Sequence, residues 1–249
     1  MAPLSGKTLI VTGGARGIGR AYSLALAGAG GNIVIADLLD GTNVVEEIRA
    51  EGGAAIATRT DISDPESNQE MVRLATEQFG NIDVLINNAA MFSETTRGPF
   101  HELSIEEWDR TFEVNVRGVW LSCCAVYPQM LEQGGGKIIN IASNTCYKGT
   151  VGFPHYVASK SAILGLTRCL ATELGRDGIT VNVLSPDLIP DPAHRPTDTA
   201  SDEVVVSGRP LKRTQTADDM IGTMLYLCSD ASDFVTGQSI LVNGGAYLH

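Results

Sequence analysis

Thr8-Leu9-Ile10-Val11-Thr12-Gly13-Gly14-Ala15-Arg16-Gly17-Ile18-Gly19 joins a short aliphatic run to a glycine-rich turn, and an amphipathic stretch over 17–29 follows it. A strand that passes into a helix through glycines opens a strand-helix-strand unit. Glycine lets the backbone turn sharply there, and it brings N–H groups and the positive end of the helix within reach of a pyrophosphate. The spacing G-x-x-x-G-x-G is one residue wider than the common dinucleotide fingerprint G-x-G-x-x-G. The context of the turn therefore has to decide what it binds.

Working outward, β-branched or aliphatic runs recur at 32–36, 54–58, 83–86, 137–141, 180–184 and 239–242. Most alternate with amphipathic stretches, predicted as helices over 66–79, 104–132, 156–176 and 217–229, where Asp64-Pro65 and Thr216 or Ala217 offer starts. The strands are apolar along most of their length, as expected when helices cover both faces of a parallel sheet. The expectation is one doubly wound α/β domain of the Rossmann type spanning 1–249, with seven mostly parallel strands. At 249 residues and 43% hydrophobic, the chain can bury such a core without a second domain.

The formal net charge of -11 argues against nucleic acid and anionic membrane as partners, because both need clustered positive charge. Cys123, Cys124, Cys146, Cys169 and Cys228 show no metal-ligand spacing and read as reduced core thiols, so no metal is expected. Met1 to Lys7 lacks a signal-peptide pattern, and no apolar run approaches the ~20 residues of a membrane span. A soluble, cytoplasmic protein is expected. Asp187 to Arg213 carries Pro190, Pro192, Pro196 and Pro210 among many polar residues, too irregular for a strand and too proline-rich for one helix. A connection of that length reads as a lid over 187–213.

Ligands of open parallel sheets sit outside the carboxyl ends of the strands. Polar or small residues fall at those ends one after another: Asp37, Asp61, Asn87-Asn88-Ala89-Ala90, Ser143 and Pro186. Asp37 stands roughly 20 residues after the glycines, where a carboxylate accepts the hydroxyls of an adenosine ribose and repels a 2′-phosphate. NAD is expected over NADP. Arg16 opposes this, since its guanidinium could grip that phosphate, whereas Leu38 supplies no second cation. Tyr156-Val157-Ala158-Ser159-Lys160 places a phenol and an ammonium one helical turn apart. An ammonium there favours the phenolate, which suits a base for an alcohol proton.

The T-G-x-x-x-G-x-G turn, Asn87-Asn88-Ala89, Asn115, Ser143 and Tyr156-x-x-x-Lys160, in this order, resemble the short-chain dehydrogenase/reductase family over essentially the whole chain. The resemblance implies Tyr156 as acid/base, Lys160 lowering its pKa and holding the ribose, Ser143 binding the substrate oxygen, and Asn115 organising a relay water. It implies a cofactor site of Gly13, Arg16, Gly17, Ile18, Gly19, Asp37, Leu38, Asp61, Ile62, Asn88, Ala89, Ala90, Tyr156, Lys160, Pro186 and Ile189. Ser143, Thr145, Phe153 and Tyr156 would meet the substrate, with Cys146, Tyr147 and His155 as further candidates for an apolar pocket. Three departures from the family pattern are Ala90 and Asp187, each where glycine is usual, and Asp191 near a usual threonine.

The stretch 142–147, His155 and the terminal Tyr247-Leu248-His249 look most like bacterial dehydrogenases of aromatic or cyclic secondary alcohols, such as phenylethanol and pyridoxal dehydrogenases. An NAD-dependent alcohol/ketone oxidoreductase follows as the first reading. A 3-oxoacyl carrier-protein reductase using NADPH is the alternative, and a nucleotide-binding regulator without turnover is a third. The resemblance also implies a homotetramer.

Overall fold

The computed structural model describes residues 2–92, 95–190 and 199–248, apart from the side chains of 199–202. In chain order these form β1 (Thr8–Thr12), α1 (Gly17–Gly28), β2 (Asn32–Asp37), α2 (Thr42–Ala50), β3 (Ala54–Arg59), α3 (Pro65–Phe79) and β4 (Val84–Asn87). Then come α4 (Ile105–Phe112), α5 (Val119–Glu132), β5 (Gly136–Ile141), α6 (Thr145–Lys148), α7 (Pro154–Leu174), β6 (Ile179–Pro186), α8 (Thr199–Gly208), α9 (Asp218–Cys228) and β7 (Ser239–Val242). The strands form one seven-stranded sheet in the order β3-β2-β1-β4-β5-β6-β7, with parallel pairing throughout. The doubly wound α/β expectation holds. The order reverses between β1 and β4, which opens a crevice at their carboxyl ends.

Side-chain alternation along each strand splits the core into two layers. Leu9, Val11, Ile33 and Ile35 pack with Tyr22 and Leu26 of α1 and Met220 and Met224 of α9. Ile10, Val34 and Leu85 pack on the other face with Met71 of α3, Val126 of α5 and Ile163 of α7. Each such fully buried aliphatic side chain stabilises the fold by roughly 1.5–3 kcal/mol. The sheet is thereby held rigid under the crevice.

Local chemistry sets the helix ends. Asp64 caps α3 by accepting from the Ser67 N–H at 3.1 Å, Pro65 fills its first turn, and Gly80 ends it at φ 86°. The helix predicted over 104–132 is instead interrupted by a π-helical stretch, Glu113–Gly118, between α4 and α5. The physical cause is visible at Asn115, which turns inward and bonds the Met91 backbone through both amide atoms. Sequence periodicity also missed α2, α6 and α8, all short. Within the expected lid, α8 makes part of the segment regular; 191–198, with Asp191, Pro192 and Pro196, lie outside the described residues.

Cys123 and Cys228 are core thiols as read, but Cys124 and Cys169 are exposed on the outer faces of α5 and α7. No helix among the described residues is long and apolar enough to cross a membrane.

Candidate active site

A cleft of about 1340 Å³ runs along the carboxyl ends of the strands, and all the expected cofactor residues line it. At one end Gly13 and Gly17 take φ 64° and 54°, where side chains are strained. A Cβ on Gly13 would stand 2.9 Å from the Ala89 Cα, and one on Gly19 would stand 2.0 Å from the Gly13 carbonyl oxygen. The turn is therefore packed to backbone distance. Arg16, at the start of α1, gives the helix no side-chain cap, and its first turn holds no acidic residue. Uncapped N–H groups at the edge of a cleft are a fit for a pyrophosphate.

Asp37 ends β2 nearly buried, its carboxylate accepting the Ala15 N–H at 3.0 Å and the Leu39 N–H at 3.0 Å. Each oxygen keeps acceptor capacity for a ribose hydroxyl. Asn88 lines the cleft but also braces the glycine turn, donating from its side chain to the Thr12 and Gly13 carbonyls at 3.0 and 3.1 Å. Asp61 accepts from the Ser63 N–H and hydroxyl, and Ile62 packs against Gly118. Pro186, the last residue of β6, and Ile189 just beyond it also line the cleft.

Ser143 follows β5, and Tyr156 and Lys160 project from α7, so two elements meet at the cleft. The Ser143 hydroxyl oxygen accepts from the Thr145 N–H at 3.2 Å and the Thr145 hydroxyl at 2.9 Å. With that oxygen accepting, the Ser143 hydroxyl keeps its own proton to donate elsewhere. Thr145, expected to meet substrate, lines the cleft and positions Ser143. The Tyr156 ring stacks on Phe153 at 4.7 Å between centroids and leans on Phe92 at 5.1 Å, which restricts where its hydroxyl can point.

Lys160 is sealed and donates to the Ile141 carbonyl at 2.8 Å. Burial pushes its pKa down to about 8, although the nearby Cys146 favours the charged form. Asn115 lies beneath, fully buried, donating to the Ser159 hydroxyl at 3.1 Å as well as to Met91. It ties α7 and the strand β4 exit to the π-helical stretch.

Phe153 forms part of the cleft wall, but Cys146, Tyr147 and His155 do not. Cys146 packs against the core, and Tyr147 faces Tyr247 and bonds Ser239. His155 is fully buried, with its Nε2 3.1 Å from Glu107, whose carboxylate also holds the Thr96 N–H and hydroxyl. Burial alone would raise the Glu107 carboxyl, but Thr96 and His155 outweigh it and hold it below the ordinary range. Among the cleft residues that sequence reading missed are Phe92, Arg97, Lys148 and Gln215. Arg97 lies over the Phe153 ring at 5.0 Å, a contact between residues 56 apart that no local pattern signals.

Comparison with known proteins agrees with this geometry. Residues 13–247 match the family described as enoyl-(acyl carrier protein) reductase, within the short-chain dehydrogenases/reductases. The chain is 37% identical over 246 residues to the 3-oxoacyl-acyl-carrier-protein reductase of Staphylococcus epidermidis, covering 97% of this chain and 99% of that one. It is 36% identical over 248 residues to a hydroxy(phenyl)methylsuccinyl-CoA dehydrogenase subunit of Thauera aromatica, covering 98% of both. A crystal structure of a short-chain type dehydrogenase/reductase from Mycobacterium marinum superposes with a TM-score of 0.90 at 32% identity, covering 99% of this chain and 97% of that one. With its glycine turn, Ser143, Tyr156 and Lys160 along one cleft, the chain belongs to the short-chain dehydrogenase/reductase family and is an oxidoreductase that binds a nicotinamide cofactor.

Proposed function

We propose that this oxidoreductase interconverts a 3-oxoacyl group and the corresponding 3-hydroxyacyl group, carried as a thioester. Full-length similarity to 3-oxoacyl-acyl-carrier-protein reductases supports the substrate class, and the Thauera relative is likewise named for an acyl thioester. The observation that carries the chemistry is Ser143, its oxygen accepting from two Thr145 donors in the same cleft that Tyr156 lines. In the reducing direction Ser143 donates to the substrate carbonyl oxygen and polarises it. Tyr156 then delivers a proton to the same oxygen, and in oxidation its phenolate takes that proton back. Lys160 stabilises the phenolate when charged. The nicotinamide, when bound, supplies or accepts the hydride. Asn115 keeps the α7 segment and the Met91 backbone in register, and a relay water held near it is part of this proposal.

We assign NAD(H) as the cofactor on the strength of Asp37, whose carboxylate lines the cleft where a 2′-phosphate would stand. Arg16 beside it is the reason to measure both cofactors. The segment 187–213 would act as a substrate lid, and five free thiols fit a cytoplasmic setting. A homotetramer would cover the exposed Trp120 and the stacked Trp108 and Phe112 on α4 and α5; light scattering tests it.

The aromatic or cyclic alcohol reading becomes second. It keeps support from the wall of Phe92, Phe153 and Tyr156, and from the phenyl group in the Thauera relative's name. A regulator without turnover would need the glycine turn but no ordered Ser143 and Tyr156. The test is reduction of acetoacetyl-CoA with NADH and NADPH, beside oxidation of 1-phenylethanol, followed by cofactor absorbance. Turnover of acetoacetyl-CoA supports the first reading. Activity confined to phenylethanol would replace it with the second, and reduction of crotonyl-CoA alone would move the chemistry to a carbon-carbon double bond.

A further inference from the structure

Beside Ser143, three charged side chains form a cluster that the proton transfer does not use. Asp187, the first residue after β6, is almost sealed, with its side chain 3% exposed. One carboxylate oxygen accepts from Lys148 Nζ at 3.0 Å, and the other accepts from Arg209 Nε at 3.1 Å. Burial alone would raise the Asp187 carboxyl, but Lys148, Asn144 and Arg209 hold it below the ordinary carboxylate range.

The two cations differ in their surroundings. Arg209 is as buried as Asp187, and its remaining nitrogens donate to the Arg213 and Leu188 carbonyls at 3.0 and 3.1 Å. Lys148 lines the cleft with its side chain 33% exposed, and Asp187 is its one hydrogen-bond partner among the described residues. An ammonium has three donors. Because Arg209 neutralises Asp187 from the buried side, the excess positive charge of the cluster falls on Lys148, at the cleft. Two residues on, the Thr150 hydroxyl oxygen is buried with no hydrogen-bond partner among the described residues, and Thr150 lines the same cleft. Leaving a buried hydroxyl unpaired is unfavourable, and a ligand oxygen would offset that cost.

We propose that Lys148, assisted by Thr150, binds an anionic oxygen group of the substrate, a carboxylate or a phosphate. Asp187 is the positioning residue: it anchors a flexible four-carbon stem that would otherwise lose rotamer freedom on binding. The proposal rests on the reading of this cleft as an acyl substrate site, and it adds how that substrate is selected.

The test is calorimetric titration of three 3-oxo compounds into the protein saturated with oxidised cofactor, a state in which ketones bind without turnover. Acetoacetate carries a carboxylate, acetoacetyl-CoA carries phosphates, and ethyl acetoacetate carries neither. Lys148→Gln should weaken one anionic probe about tenfold or more relative to ethyl acetoacetate, and Lys148→Arg should restore most of it. Loss on acetoacetate identifies a carboxylate site, and loss on acetoacetyl-CoA alone identifies a phosphate site. Equal weakening of all three probes, no weakening, or failure of the wild type to bind either anion overturns the proposal. Turnover with reduced cofactor is measured separately. Lys148-dependent anion binding without reduction of any probe would remove the thioester reading and keep the anion site, whereas reduction with Lys148-independent binding would do the reverse.

Discussion

The two ends of the cleft are built in opposite ways. At the cofactor end, Gly13, Arg16, Gly17, Gly19 and Asp37 come from one strand-turn-helix-strand unit, and backbone geometry does most of the work. At the proposed substrate end, Ser143, Lys148, Tyr156, Asp187 and Arg209 come from the β5 exit, α6, α7, the β6 exit and the segment after α8. The first is a local design that any strand order of this type can carry; the second is assembled across the sheet through hydrogen bonds and ion pairs. Binding a dinucleotide is therefore robust, and choice of substrate is where variation has room to act.

Four measurements break or sharpen that comparison. The largest effect is expected at Tyr156, where Tyr156→Phe keeps the ring stack on Phe153 but removes the proton carrier. Turnover should fall about 10²–10⁴-fold with cofactor affinity and thermal melting retained; near-normal turnover would end the assignment. Next is Asp187→Asn, which leaves the buried Arg209 without its counter-charge. A loss of roughly 3 kcal/mol in denaturant melts is expected, and an unchanged midpoint would show that the substrate end does not depend on this strut.

Lys160 gives a pH signature. Its pKa is about 8 in the fold against 10.5 for an unperturbed lysine, so between these values the unfolded chain holds a proton that the folded one has released. Stability should then rise with pH through that window, by on the order of 3 kcal/mol relative to Lys160→Met, and be flat below it. Denaturant melts without cofactor at several pH values would show it; a pH-independent difference between the two proteins contradicts desolvation of the ammonium. The smallest effect is at the cofactor end: Asp37→Asn should lower the NAD over NADP preference in kcat/KM about tenfold, since it removes one repulsion and leaves the glycine turn intact. An unchanged ratio would transfer cofactor choice to Arg16.

How much was legible follows the same division. The glycine turn, Asp37 and the strand ends could be read directly, because strand and helix periods and φ-permissive residues are written in contiguous sequence. Tyr156 and Lys160 were visible as a pair, yet their burial and Lys160's bond to Ile141 were not. Asp187 was visible as a departure from a glycine, but its partners Lys148 and Arg209 lie 39 and 22 residues away, beyond any periodic signal. His155 looked like a pocket residue beside Tyr156, whereas the adjacent position on α7 turns it toward Glu107. The π-helical stretch escaped for a similar reason, since Asn115 fits an ordinary helical pattern until Met91 is brought against it.

By itself, then, the amino-acid order determined a parallel doubly wound sheet, a nucleotide-accepting turn and a tyrosine-lysine pair, because each depends on neighbours within a few residues. Only the tertiary structure decided that Thr145 loads Ser143, that Phe92 and Phe153 clamp Tyr156, and that Asp187 holds Lys148 at the cleft. Hydrogen bonds and ion pairs act over about 3 Å in space, and chain separation carries no record of which distant side chains the folded sheet will bring to that distance.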